Sequence, residues 1–267
     1  MTEYSPRRAA PKTPFKVKLF EDGRAALNLG CGTRMHRSWN NLDFSPYIRL
    51  AQHPGLAKVL KTIGFISEER YQRLGQVDPQ AIYWDLLRGI PFADDTFDLV
   101  YQAHLLEHFD RQAAPEVLKE CWRVLKKGGV LRVVVPDLEI LVNRYIESVN
   151  LLKAQKDEAA FKSHAQAIYD LFEQMVRGER AGTSQQRQVV RFLENLIRGD
   201  AARSGEVHRW MYDAFSLERL LAQVGFKDIR VQTPFTSRIQ GWTTFHLDTE
   251  ADGTISKPDS LYLEGAK

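Results

Sequence analysis

The chain has 267 residues, 43% of them hydrophobic, which is enough to bury the core of one large domain. Its 37 basic and 34 acidic residues leave a formal charge of +3, so the composition gives no reason to expect a nucleic-acid or membrane-surface partner. The two cysteines, Cys31 and Cys121, provide no disulfide framework, and no apolar run is long enough to span a bilayer. We therefore expect a soluble, cytoplasmic protein.

The N-terminal part leads from a polar segment into a buried strand. Residues 1–18 are basic and interrupted by three prolines, which is typical of a flexible tail. A first strand is predicted at 25–29, where an apolar run stops at a turn with Gly30 and Gly32. Glycine lets the backbone take positive φ and come close to a bound molecule. A second strand is predicted to end at Asp43, where a carboxylate can accept hydrogen bonds from ribose hydroxyls.

The connection between these two strands is too short for the usual crossover helix, so a loop must replace it. Residues 46–61 follow a helical pattern that Pro54 should break, and 63–79 are interpreted as a polar surface excursion. Third and fourth strands are predicted at 81–85 and 97–101, and the third again ends in a carboxylate, Asp85.

An amphipathic helix is predicted over 113–126, followed by the most apolar strand of the chain at 130–135. Strands that alternate with helices favour a parallel α/β sheet. Three further helices are predicted after the fifth strand, at 138–152, 158–177 and 185–198. Because they follow the carboxyl end of a strand, we interpret residues 138–212 as a lid or substrate-recognition insert. A helix at 216–224 and strands at 228–232, 243–247 and 260–263 complete residues 213–267.

Four motifs, in this order, resemble those of the class I S-adenosylmethionine-dependent methyltransferases, and of their methyltransferase type 11 branch in particular. They are L-N-L-G-C-G at 27–32, D-L-L-R-G-I-P-F-A-D-D-T-F-D-L-V-Y at 85–101, L-L-E-H at 105–108 and R-V-L-K-K-G-G-V-L-R-V-V-V-P-D at 123–137. The resemblance implies a Rossmann-like, doubly wound α/β sheet, mostly parallel with an antiparallel C-terminal strand and a helical insert after the fifth strand. Residues 19–137 would form the cofactor-binding half. A weaker likeness over 208–263 is to uncharacterised bacterial methyltransferases, some encoded among glycan-assembly enzymes.

The resemblance also implies where S-adenosylmethionine binds. The backbone of residues 30–32 would lie against its methionine moiety, Asp43 would hold the ribose hydroxyls, and Asp85 would accept from the adenine amino group. Residues 102–104 would pass near the sulfonium. Since this cofactor carries no phosphate, a missing first crossover helix is tolerable. The cofactor-binding residues predicted in this way are Asn28, Gly30, Cys31, Gly32, Asp43, Asp85, Leu86, Gln102, Ala103 and His104.

Methyl transfer is an in-line displacement at an activated carbon, so the protein must align the reactants and take up a proton if the acceptor is a hydroxyl. We expect the acceptor to be a small molecule or a glycan, methylated at oxygen. A homodimer is an assembly that the sequence allows. Four residues are candidates for the base and are left open as alternatives: His104, Glu107, His108 and His208.

Other functions compete with this one. A non-catalytic protein that binds S-adenosylmethionine or S-adenosylhomocysteine would use the same site. A nicotinamide-dependent oxidoreductase is disfavoured because G-C-G lacks a third glycine that opens a helix. H-L-L-E-H at 104–108 also matches an inverted zinc-protease signature, in which His104 and His108 bind zinc on a helix and Glu107 is the base. We expect no metal, because residues 110–115 interrupt the stretch and no downstream acid stands out as a third ligand.

Overall fold

A seven-stranded sheet organises the computed structural model, which describes residues 15–75, 77–175 and 208–267. The strands lie in the order β3-β2-β1-β4-β5-β7-β6. Strand β7 pairs antiparallel with β5 and β6, while β1 to β5 pair in parallel, so the predicted fold class is confirmed. The strands are β1 Ala26–Leu29, β2 Asn40–Asp43, β3 Ile82–Tyr83, β4 Phe97–Ala103, β5 Leu125–Pro136, β6 Lys227–Gln232 and β7 Ser260–Ala266.

Seven α-helices lie in the described part of the chain. They are α1 Pro46–Ala51, α2 Pro54–Thr62, α3 Glu68–Leu74, α4 Ala113–Val124, α5 Leu138–Ala154, α6 Glu158–Met175 and α7 Ala214–Val224. Residues 30–39, all described, contain no helix, so β1 connects to β2 through a loop as predicted. The helix predicted at 185–198 lies outside the described residues. None of the described helices has the length and apolarity that crossing a membrane requires.

Two sequence predictions need correction. Residues 63–79 contain α3, whose Ser67 side chain caps the first turn by accepting from the Arg70 amide at 3.2 Å. Residues 243–247 form no strand: a 3₁₀ turn spans Trp242–Phe245 instead. The apolar residues in this segment pack as an aromatic cluster and not as alternate residues of a strand, since Trp242 lies 6.2 Å from Trp39 between ring centroids.

The two faces of the sheet are covered differently. On one face, apolar residues of β1, β4 and β5 pack against α4 and α7. Helix α7 is fixed at its start by a reciprocal capping box between Asp213 and Ser216, and Gly225 ends it in the left-handed conformation. The other face is covered by the aromatic cluster of Trp39, Tyr101, Trp242 and Phe245.

A buried arginine holds the chain that follows β6 against this second face. Arg132 in β5 is fully buried and donates to Asp248 Oδ2 at 2.6 and 2.8 Å and to Glu264 Oε1 at 2.8 Å. It also donates to the backbone carbonyls of Thr233 and Thr236 and lies 4.5 Å from the ring centroid of Trp242. The network therefore ties β5 and β7 to the connection between β6 and β7.

Residues 15–18, the described end of the predicted tail, pack against the domain. Phe15 meets Trp84 edge-on at 6.1 Å between ring centroids. The amide of Lys18 donates to Asn40 Oδ1 at 2.8 Å, and its ammonium pairs with Asp78 at 2.8 Å. The packed part of the chain thus begins no later than Phe15.

Candidate active site

The first four strands bring the candidate cofactor residues to one edge. Because β1 to β4 are parallel neighbours, their carboxyl ends meet there. Asp43 closes β2 and is paired in register with Tyr83 of β3. The amide of Trp84 donates to the Asp43 carbonyl at 3.0 Å, and Asp85 follows directly. The two carboxylates predicted to bind one nucleoside therefore lie on the same side of the molecule.

The turn after β1, residues 30–32, forms a glycine corner beside these acids. Gly30 and Gly32 have φ values of +63° and +52°. A Cβ on Gly30 would lie 2.8 Å from Leu105 Cδ1, whereas a Cβ on Gly32 would meet no described atom within 4 Å. Gly30 is thus required by packing, while Gly32 borders open space. Burial raises the pKa of the Cys31 thiol well above its usual value, which fits a small turn residue and not a nucleophile.

Asp43 is joined to this corner by hydrogen bonds. Its Oδ2 accepts from the Gly32 amide at 2.7 Å, and its Oδ1 accepts from the Ser45 amide. Burial raises the pKa of the Asp43 carboxyl, although these amides oppose the shift. Since a carboxylate offers about four acceptor positions, both oxygens can still accept from ribose hydroxyls.

The remaining predicted cofactor residues differ in their surroundings. Asp85 Oδ1 accepts from the Leu87 amide at 3.0 Å, while buried Leu86 begins a 3₁₀ turn. Asn28 supports the corner, because its Nδ2 donates to Arg34 O and Asn41 Oδ1, each at 3.0 Å.

Gln102 is fully buried, and neither of its amide atoms has a hydrogen-bond partner among the described residues. Such a group is expected to find its partner in a ligand or in water. Together with the open space at the corner, it fits a bound polar cofactor.

After β4 the chain turns sharply through the H-L-L-E-H stretch. His104 has a φ of +49°, and its amide donates to the Val134 carbonyl at 2.9 Å. Only a single 3₁₀ turn follows, at Leu106–His108. The helix that the zinc-protease signature requires is therefore absent, and the alternative of a zinc hydrolase through His104, Glu107 and His108 on that helix was wrong.

The structure nevertheless brings the four candidate bases together. Glu107 is fully buried, with its Oε1 3.6 Å from His104 Nδ1 and 3.8 Å from His208 Nε2. The His108 and His208 rings lie 4.9 Å apart between centroids. His208 reaches this place because the next residue, Arg209, donates its amide to the Glu107 carbonyl at 2.7 Å.

These histidines line a cavity of about 440 Å³ between the sheet edge and helices α5 and α6. The lining of the cavity also carries charges: Arg144 of α5 pairs with Asp259 at 2.8 Å and lies 3.7 Å from Asp170 of α6. Sequence reasoning did not single out Arg144 or Asp170, because nothing in a helical pattern tells which charged residues face a cavity.

Comparison with known proteins gives one family match and several solved structures that resemble the chain. Residues 27–133 match the family model described as a methyltransferase domain. No curated protein matches the chain. Solved structures that resemble it include a SAM-dependent methyltransferase of Thermotoga maritima described as a possible histamine N-methyltransferase (14% identity, 91% of this chain and 82% of that one, TM-score 0.39). Another is a SAM-dependent methyltransferase of Archaeoglobus fulgidus (14% identity, 91% and 86%, TM-score 0.38).

A third is phosphoethanolamine N-methyltransferase 2 of Haemonchus contortus in complex with S-adenosyl-L-methionine (11% identity, 95% of this chain and 50% of that one, TM-score 0.39). The family match falls on β1 to β5, the strands that carry the glycine corner and both acids. The cofactor of this family is S-adenosylmethionine. Within the seven-stranded sheet, the part of the chain from residue 27 to residue 133 is thus identified by its match as a methyltransferase domain.

Proposed function

We propose that the enzyme transfers the methyl group of S-adenosylmethionine to an oxygen of a small polar molecule or a glycan. The observation that carries this proposal is that the glycine corner and the cavity are adjacent. Leu105 packs against the glycine corner, and its neighbour His104 lines the cavity. A cofactor at the corner and an acceptor in the cavity would therefore meet beside these two residues, with the acceptor in line with the methyl group.

The cofactor would lie along the carboxyl edge of β1 to β4. Asp43 would accept from the ribose hydroxyls, Asp85 from the adenine amino group, and the Gln102 amide would gain the partner that it lacks among the described residues. When bound, S-adenosylmethionine supplies a methyl group on a positively charged sulfur. Alanine at Asp43 should weaken binding of S-adenosylhomocysteine by roughly 1–3 kcal/mol, because the ribose hydroxyls lose a buried partner.

Isothermal titration calorimetry with S-adenosylhomocysteine tests this assignment. Alanine at Asp252, an exposed acid that accepts from the Thr254 amide within its own turn, is the matched control and should leave the affinity unchanged. An unchanged affinity for Asp43→Ala would reject the role of Asp43.

His104 is the residue that we propose as the base. Its Nε2 is 2.8 Å from Ser260 Oγ, and its Nδ1 faces the Glu107 carboxyl at 3.6 Å. A proton taken from an acceptor hydroxyl onto Nδ1 would face a carboxylate, which stabilises the imidazolium. A built-in proton acceptor favours an oxygen nucleophile, because a hydroxyl must lose its proton to attack. The charged wall of Arg144 and Asp170 suits a hydroxyl-rich acceptor.

The non-catalytic alternative would bind the same cofactor without turning it over. A methyl-donor assay against a panel of sugars, polyols, hydroxy acids and amines separates the two, since only an enzyme releases S-adenosylhomocysteine. His104→Asn is a suitable variant, because asparagine tolerates the left-handed conformation that position 104 adopts. We expect kcat to fall by about 10²-fold or more with oxygen acceptors. Cofactor turnover by His104→Asn at the rate of the unmodified enzyme would reject His104 as the base.

A further inference from the structure

We propose that Glu107, His108 and His208 bind a divalent transition-metal ion of the zinc type at the floor of the cavity. One ligand atom from each of these residues lies within 4.8 Å of the other two. Ligands about 2.1 Å from a tetrahedral zinc ion lie about 3.4 Å apart. The distance of 3.8 Å between His208 Nε2 and Glu107 Oε1 is close to that value, so small side-chain movements would complete the site.

The tautomer of His208 supports this assignment. Its Nδ1 lies 2.6 Å from the backbone carbonyl of Gln174 on α6. A carbonyl can only accept, so Nδ1 carries a proton, and Nε2 is the nitrogen that remains on the side of Glu107. A histidine that binds a metal almost always donates its other N–H in this way. Nε2 is thus the His208 nitrogen on the side of Glu107, as binding of one ion by both residues requires.

Two of the three proposed ligands are buried, and the third is open to the cavity. Glu107 is fully buried and His208 is 5% exposed, whereas His108 is partly exposed and lines the cavity. The bond from the Arg209 amide to the Glu107 carbonyl fixes the two chain segments that supply the ligands. With three protein ligands, a zinc ion keeps a fourth position for water or substrate. This set differs from the zinc-protease signature, because Glu107 is a ligand and His104 is not.

The role that we assign to the ion rests on the proposed function. An ion at the cavity floor would bind the acceptor hydroxyl and lower its pKa. His104 would then take the proton from oxygen. The oxygen electron pair would form the bond to the methyl carbon as the carbon–sulfur bond breaks, and the sulfur would leave as a neutral thioether.

Metal binding can be tested without any methyl acceptor. The full-length protein, stripped with a chelator, is titrated with Zn²⁺ in a competition assay with a chromophoric chelator, and its thermal unfolding is followed with and without Zn²⁺. We expect one ion per chain and a rise in the unfolding temperature on binding. His108→Ala, at the most exposed ligand, and Glu107→Gln should each weaken binding at least tenfold. His53→Ala, which removes an exposed histidine of the α1–α2 connection, is the matched control and should bind like the unmodified chain.

Less than one bound ion per chain, or equal affinities in His108→Ala and His53→Ala, would overturn the site. The binding assay on His108→Ala keeps the proposal testable even if Glu107→Gln does not fold. Methyl transfer by the metal-free protein at the full rate would overturn the catalytic role of the ion and leave the proposed function intact. If zinc binds as expected but no acceptor is methylated, the metal site stands and the proposed function fails.

Discussion

Alanine at Gly30 should destabilise the fold more than alanine at Gly32, although both glycines lie in the same turn with positive φ. A left-handed conformation costs a non-glycine residue about 1–2 kcal/mol, and both variants incur this cost. Only at Gly30 would the new Cβ collide, 2.8 Å from Cδ1 and 3.1 Å from Cβ of Leu105. Overpacking of this kind adds about 1–3 kcal/mol. We therefore expect a loss of about 2–5 kcal/mol for Gly30→Ala and of about 1–2 kcal/mol for Gly32→Ala.

Urea denaturation of both variants measures these losses, and a second pair made in a Leu105→Gly background isolates the collision, because glycine also removes the Leu105 Cβ. In that background the two alanine variants should differ by less than about 0.5 kcal/mol, the usual limit for sites that do not interact. S-adenosylhomocysteine binding gives an independent measurement. Gly32→Ala should weaken S-adenosylhomocysteine binding more than its small effect on stability suggests, because the alanine methyl group enters the space proposed for the cofactor.

Two outcomes would refute this reasoning. Equal losses for Gly30→Ala and Gly32→Ala would show that the packing of Leu105 against the corner does not constrain position 30. A difference that persists in the Leu105→Gly background would show that the collision lies elsewhere.

Two further predictions concern buried charges. Arg132→Met should reduce the free energy of unfolding by about 3–5 kcal/mol, because Asp248 and Glu264 would stay buried without their cation. Denaturation of Arg132→Lys, which keeps a positive charge, should show a smaller loss of that free energy. Because burial raises the pKa of the Asp43 carboxyl, acidification should protonate it at a higher pH than an ordinary aspartate, and S-adenosylhomocysteine affinity should fall there. Calorimetry between about pH 4 and 7 should show this fall in the unmodified enzyme and not in Asp43→Asn, because asparagine cannot ionise. The same pH dependence in both proteins would contradict the role of Asp43 in cofactor binding.

Much of the cofactor edge could be predicted because its signals are local. A buried parallel strand reads as a continuous apolar run, and the acid or glycine that ends it is the next residue along the chain. The rule that carboxyl ends of parallel strands meet at one edge then brings Asp43 and Asp85 together. The start of α3 also has a sequence signal, a serine at 67 followed by two glutamates, which is typical of the first turn of a helix. We interpreted the segment as a surface excursion because most of its residues are polar.

The histidine cluster could be predicted only as separate candidates. Nothing near His208 in the sequence indicates that the Arg209 amide will bond to the Glu107 carbonyl, because that contact depends on how the insert returns to the sheet. Arg132 presents the same difficulty. A charge within an apolar strand indicates that a partner exists, but its partners come from a distant loop and from β7.

The adjacency of His104 and Leu105 in the chain has a consequence for substitutions near the site. Leu105 packs against the glycine corner and His104 lines the cavity, so consecutive residues border the places proposed for the methyl donor and for the acceptor. A substitution at Leu105 is therefore expected to change the binding of both molecules.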